Sequence, residues 1–331
     1  MVAPLRVGIV GCGFIGEKRA RVLLPNALTL CCDTNAERAA KLASPSGAAI
    51  CTDWQAAVSD KNVDIVIVAT THDLLAPIAT AAAAAGKHVI VEKPAAIRSD
   101  ELTEAISASD RTGVCVRVGF NHRYHRAFRA ARSIVDSGAL GPLTHCRARY
   151  GHGGRIGYDK EWRAVPSLSG GGEAIDQGIH LIDLARWFLG DFNDVYGFAA
   201  TYFWDMPVED NAFLLLRTRE GQVASLHASW TEWKNTFSFE LYGRVGKIEV
   251  TGLGGSYGIE RIAHYKMLPE LGPPETTIQE FPMADDSWSI EYTTFLNDIA
   301  ARRTPTPGLR DAQAALRIVE RFYDASANDH R

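Results

Sequence analysis

Apolar residues fall in short continuous runs over the first third of the chain and in alternation over much of the remainder. Runs at 5–10, 27–32, 63–69, 89–91 and 114–120, with a shorter one at 49–52, have strand length. Continuous apolar runs of this kind suit strands buried on both faces, as in a parallel sheet. Between them lie segments of helical spacing, from Gly16 to about Leu24 and over 35–42, 53–59, 74–85 and 99–111. Gly86 is placed to close the fourth helix, and Ser99 or Asp100 to cap the fifth. This alternation predicts right-handed crossovers and one mostly parallel sheet. The strand ends at Val10, Cys32, Ala69, Val91 and Phe120 would then face a common crevice.

After a helix over 124–138 the pattern changes. Strands are predicted over 143–151, 195–203, 212–218, 223–231, 236–242, 246–250, 258–265 and 276–281. Arg219-Glu220-Gly221 and Gly243-Arg244-Val245-Gly246 make two of the links antiparallel hairpins. Helices over 288–302 and 309–325 end the chain. The expected fold is an α/β domain with a mostly parallel sheet over 1–122, then an α+β domain over 123–331 with a large, mainly antiparallel open sheet. The C-terminal helix has the option of packing back on the first domain. An open sheet face favours a homodimer or homotetramer.

Composition narrows the function. With 331 residues, 46% apolar, two domains are expected, and no apolar run approaches membrane-spanning length. A net charge of −4 argues against a nucleic-acid partner. Met1 to Arg6 carries no signal-peptide pattern. The six cysteines lack Cys-x-x-Cys spacing, so neither a metal site nor a disulfide framework is expected, and the reducing cytoplasm is the expected compartment.

Two stretches carry chemistry. Gly11-Cys12-Gly13-Phe14-Ile15-Gly16 stands between the first strand and helix, where a dinucleotide-binding turn belongs. Gly11 permits the turn, Gly13 the approach of a pyrophosphate, Gly16 close helix–sheet packing, and Phe14 and Ile15 open the helix that receives the phosphates. Asp33, at the end of the second strand, is placed to accept from ribose hydroxyls, which favours NAD; Arg38 leaves NADP open. Thr70 ends another strand on the same edge. The second stretch is Glu92-Lys93-Pro94, where proline stops a buried strand at an acid and a lysine. Alone, it reads first as a surface turn with a solvated Glu-Lys pair. Further on, Asp176, His180 and Asp183 recur at i, i+4 and i+7, one face of a helix. A secondary alcohol needs a hydride acceptor, a base and a cation for the developing alkoxide. Lys93 and His180 supply the latter two, in an order the residue types leave open.

Gly11-x-Gly13-x-x-Gly16, Glu92-Lys93-Pro94 and the glycine run leading to Asp176-x-Gly178-x-His180 resemble the glucose–fructose oxidoreductase / inositol dehydrogenase (Gfo/Idh/MocA) family over nearly the whole chain. The resemblance implies a Rossmann domain, a C-terminal α/β domain with a predominantly antiparallel sheet, and NAD(P)-dependent hydride transfer on sugars, inositols or related polyols. It makes Lys93 the catalytic lysine, Asp176 a substrate-binding carboxylate and His180 the acid/base. It also suggests Glu92 and Lys93 as cofactor neighbours and Asn121-His122-Arg123 as a segment that contacts substrate or cofactor. Thr71 and Leu75 depart from the proline and histidine common there. The loop 152–163 has no general family meaning; its Arg155, Trp162 and Arg163 suit an acidic or nucleotide-linked sugar, or a solvated lid. Imine reduction, redox-assisted cleavage and a non-catalytic sensor are the alternatives.

Overall fold

The buried apolar runs form strands β1 (Val7–Val10), β2 (Leu28–Cys32), β3 (Ala49–Cys51), β4 (Ile65–Val68), β5 (His88–Val91) and β6 (Val116–Val118) in a computed structural model that describes residues 5–270 and 272–328. Met1–Pro4, the stretch read for a signal pattern, lies outside the described residues. Every residue of β1 and β4 is buried, as a strand covered on both faces requires. The six strands pair in parallel in the order β3-β2-β1-β4-β5-β6. The order reverses between β1 and β4, and a switch point of this kind opens a crevice at the carboxyl ends. Helices α1 (Phe14–Arg21), α2 (Ala36–Ala43), α3 (Trp54–Ser59), α4 (His72–Ala84) and α5 (Leu102–Thr112) link the strands. Past α4, Gly86 adopts positive φ and Lys87 N–H reaches Ala82 O, the expected glycine-closed end. The α5 cap departs from expectation. The helix begins after Glu101, whose carboxylate accepts from Ile97 N–H, while neither Ser99 nor Asp100 caps it.

The described residues divide into two compact units, 5–120 with 288–313, and 121–287 with 314–328. The core of the first packs Val7, Ile9, Ile65, Ile67 and Ile90 with Tyr292 and Phe295. Burial of each such side chain contributes about 1.5–3 kcal/mol. Arg117, fully buried on β6, is neutralised by Asp298.

In the second unit a 3-10 turn (Asn121–Tyr124) leads to α6 (Arg126–Asp136) and β7 (Leu143–Gly151). A short helix α7 (Pro166–Ser169), a π-helical turn (Ala174–Gly178) and α8 (Ile179–Leu189) follow. Then come β8 (Phe192–Ala200), β9 (Asn211–Thr218), β10 (Val223–Ser229), β11 (Thr236–Gly243), β12 (Gly246–Thr251), β13 (Glu260–Lys266) and β14 (Glu275–Phe281). They form an eight-stranded sheet, β14-β13-β12-β11-β7-β10-β9-β8, antiparallel except for β7 with β10. Strict alternation on β9 turns Phe213 and Leu215 outward opposite Tyr196 and Phe198 of β8. The chain ends in α9 (Ser287–Ala301) and α10 (Leu309–Asn328). One strand is displaced from its expected place: β8 stops at Ala200 rather than 203. The fully buried Asp210 carboxylate takes the N–H groups of Tyr202, Phe203 and Trp204 away from the ladder.

Candidate active site

The turn after β1 is built by the absence of side chains. Gly11 sits at φ +96°, and a Cβ there would lie 2.3 Å from Ala69 O. A Cβ on Gly16 would lie 2.1 Å from Gly11 O, so α1 can pack this close only with glycine. Around Gly13, by contrast, nothing lies within 4 Å of such an atom. Gly13 is the N-cap of α1 and brings no side chain to cover the first N–H groups, which with the helix dipole suit an anion. Asp33 follows β2 and accepts from Cys12 N–H and Asn35 N–H, 2.8 Å each, so its carboxylate is fixed in place with lone pairs remaining. These residues fit a dinucleotide: open space at Gly13 and a helix start for the pyrophosphate, an oriented carboxylate for a ribose. Phe14 is exposed and Ile15 half-buried at the helix start, and Thr70 is half-buried after β4. NAD bound there would supply the hydride acceptor or donor.

Glu92 ends β5 and is buried. Its carboxylate accepts from Arg19 Nε at 2.6 Å, and the same guanidinium pairs with the fully buried Glu291 and stacks 4.4 Å over Trp288. A Cβ on Gly119 would come within 2.8 Å of both Arg19 and Glu92, so a side chain after β6 would have to displace this pair. Glu92 therefore ties the strand that carries Lys93 to the helix that follows the glycine turn. Lys93 itself is half-buried, and its peptide bond to Pro94 is cis.

The second unit holds the other expected residues. In the glycine run 170–172, Gly171 and Gly172 meet close approach: a Cβ on Gly171 would lie 2.1 Å from Tyr323 Oη, and one on Gly172 1.9 Å from Glu209 O. Glu209 lies over this start, its carboxylate accepting from Gly172 N–H, Ala174 N–H and the Tyr323 hydroxyl at 2.8–3.0 Å. Burial pushes its carboxyl up, against these donors. The turn it caps is π-helical over Ala174–Gly178 and becomes α-helical only at Ile179, which corrects the expectation of one continuous α-helix face. Single π turns inside helices are frequent at functional sites.

Each polar residue of this face is held by a different segment. Asp176 accepts from Arg163 Nε at 2.9 Å. Asp183 receives two bonds from Arg123, at 2.6 and 2.8 Å, with both side chains buried. His180 Nδ1 lies 2.7 Å from Nδ1 of His122, both rings buried. Tyr150 meets the His122 ring edge-on, and its hydroxyl is pushed well above its ordinary value by burial. Asn121 donates to the Ser287 hydroxyl at 3.1 Å.

The loop after β7 is anchored, which removes the solvated-lid reading for its middle. Tyr158 and Ala164 are buried against Met206, Val208 and Trp230. Trp162 lies against Arg163, and Arg155, exposed, pairs with Glu161. Burial works against the Arg163 guanidinium, and the Asp176 carboxylate outweighs it. Sequence reasoning missed Arg19, Glu209 and Tyr323, and reached His122 only as part of the segment Asn121-His122-Arg123. Only Glu209 left a local signal, in the polar triplet Glu209-Asp210-Asn211 that opens a buried strand. Among the described residues, no cluster of histidine, cysteine and carboxylate side chains is placed to hold a metal.

Residues 5–120 match the GFO_IDH_MocA family model, described as "Oxidoreductase family, NAD-binding Rossmann fold", and residues 128–249 match the "GFO/IDH/MocA C-terminal domain". Levoglucosan dehydrogenase of Pseudarthrobacter phenanthrenivorans is 28% identical over 283 residues, covering 74% of this chain and 73% of that protein. Inositol 2-dehydrogenase of Salmonella typhimurium is 29% identical over 309 residues, 91% of this chain and 88% of that one. A solved structure of levoglucosan dehydrogenase in complex with NADH and levoglucosan superimposes with a TM-score of 0.86 at 25% identity, over 98% of this chain and 97% of that one.

Proposed function

The chain belongs to the Gfo/Idh/MocA family of NAD-binding oxidoreductases, and we propose that it moves a hydride between NAD and a secondary alcohol or ketone of a sugar or polyol. The observation that carries this reading is the oriented Asp33 beside the bare glycine turn, in a chain that also presents buried Asp176 and His180 from one helix. Lys93 is the cation that steadies the reacting oxygen, His180 takes or returns the hydroxyl proton, and Asp176 binds a neighbouring hydroxyl. Asp33 favours NAD over NADP, since a carboxylate there repels a 2′-phosphate. The loop cations bear on substrate class. Arg163 is matched by Asp176 and Arg155 by Glu161, so an uncharged sugar or polyol suits this loop better than an acidic or nucleotide-linked one.

Outward Tyr196, Phe198, Phe213 and Leu215 support a homo-oligomer joined through the sheet. Sedimentation of the purified chain reads this directly; a species of one chain's mass counts against it. No helix among the described residues is long and apolar enough to cross a membrane. A cytoplasmic location is the reading that accords with the free cysteines.

The test is NADH formation with a panel of inositols, free sugars, sugar acids and nucleotide-linked sugars. K93A and H180A should each lower turnover on the best substrate by roughly 10²–10⁴-fold. Near wild-type turnover in either variant removes that residue's role, and tight NAD binding without turnover on any panel member points to a sensor.

A further inference from the structure

We propose that His122 is a positioning residue for His180: it accepts a hydrogen bond from His180 Nδ1 and so leaves His180 Nε2 as the unprotonated nitrogen that meets the substrate hydroxyl. This rests on the reading of His180 as the proton-transfer group. Two imidazole nitrogens approach to 2.7 Å only when one of them carries a proton. Which nitrogen is protonated fixes what the opposite nitrogen can do. If His180 holds the proton at Nδ1, its Nε2 has a lone pair and is a base toward an alcohol. If His122 holds it, His180 carries its proton at Nε2 and cannot take another without becoming a cation. A base that works through Nε2 therefore needs a partner that accepts at Nδ1, and His122 stands in that place.

Around the two rings, Arg123 pairs with Asp183, Asp176 with Arg163, and His125 Nδ1 lies 3.0 Å from the Glu260 carboxylate. Tyr150 and Phe237 present a ring edge and a ring face to His122. The imidazole planes cross at 57° with centroids 3.8 Å apart, so the N–H···N contact is bent. A bent contact orients a ring and selects its tautomer; it is a poor wire for proton transfer. His122 is itself held, because its neighbour Arg123 clamps the 3-10 turn to α8 through Asp183.

Nitrogen-15 NMR of the histidine-labelled protein at neutral pH tests the assignment without turnover. In the wild type His180 is expected in the Nδ1–H tautomer; an Nε2–H tautomer there overturns the proposal. In H122F the His180 signal should move to the Nε2–H tautomer, and kcat should fall roughly 100-fold with KM changed less than about threefold. In H122N the side-chain oxygen can accept from Nδ1–H, so the tautomer and most of kcat should return. Unchanged kcat in H122F, or an H122N as impaired as H122F, rejects the role. Where H122F fails to fold, the wild-type tautomer and the H122N rate still decide. If H180A retains turnover while the wild-type tautomer is as expected, the reading of His180 as the proton-transfer group has failed and the pairing has not.

Discussion

The glycine turn of the first unit and the π–α helix of the second solve the same task by opposite means. The turn acts through backbone: Gly11 and Gly16 remove Cβ atoms where carbonyls pass within 2.3 Å of their places, and Gly13 leaves the helix start bare. Its three glycines lie within six consecutive residues, although the carbonyl that Gly11 must clear, Ala69 O, comes from the end of β4. The helix acts through side chains, and each is fixed from a distance in sequence: Asp176 by a residue 13 positions away, His180 by one 58 away, Asp183 by one 60 away. A site made of backbone tolerates little change in its own residues. A site made of side chains is also vulnerable through its supports.

The sharpest way to break that contrast is D183A, which removes a support and none of the residues assigned to the substrate. It leaves the buried Arg123 guanidinium without its carboxylate, and loss of one partner of a buried pair costs about 3–5 kcal/mol. Denaturant unfolding should show this loss; a change under about 1 kcal/mol would mean that the clamp is not what holds the turn. A smaller effect separates the glycines of the turn. G16A puts a Cβ against Gly11 O and should destabilise the chain by roughly 1–3 kcal/mol. G13A meets only open space, so the midpoint should stay put while NAD affinity, measured by calorimetry, falls at least about tenfold as the methyl enters the pyrophosphate's place. Equal behaviour of the two variants would erase the distinction between packing glycine and ligand glycine.

The smallest effect is pH-dependent. Burial holds the His152 imidazole below its ordinary value, and its Nδ1 accepts from Gly154 N–H at 2.9 Å, a bond only the unprotonated nitrogen makes. The folded chain then binds fewer protons at this site than the unfolded chain. Its contribution is complete above the unfolded value of about 6.5 and is lost as pH falls below it. Between about pH 8 and pH 5.5 the wild type should lose more thermal stability than H152N, whose amide oxygen accepts the same bond without titrating. Parallel curves would show that His152 does not secure the loop.

The same contrast explains what could be read before folding. Continuous apolar runs located β1 to β6, and alternation located β7 to β14 within a few residues, because burial acts on each residue where it stands. Gly11, Gly13, Gly16 and Asp33 were readable because their types and spacing follow one strand–turn–helix pattern. Where a distant group intervened, reading failed. Asp210 ends β8 three residues early by taking three N–H groups from the next segment. Glu101 bonds backward to Ile97 and displaces the start of α5 from either residue expected to cap it. His122 was readable only as part of the contact segment after a strand; its pairing with His180 was not, because that partner lies on a helix that the sequence does not bring near.

The π turn has one more consequence. Such a turn is an α-helix with one residue too many, and each α-helical residue advances the direction of its side chain by about 100°. Removing one residue between Asp176 and His180 would leave them at i and i+3 of a regular helix, three steps of about 100° and so about 60° short of a full turn. Length here acts as a phase setting: neither side chain need change for the angle between them to change. A chain shortened by one position at Gln177 keeps both residues, the glycine run and a common helix face, and presents the pair at a different angle and spacing.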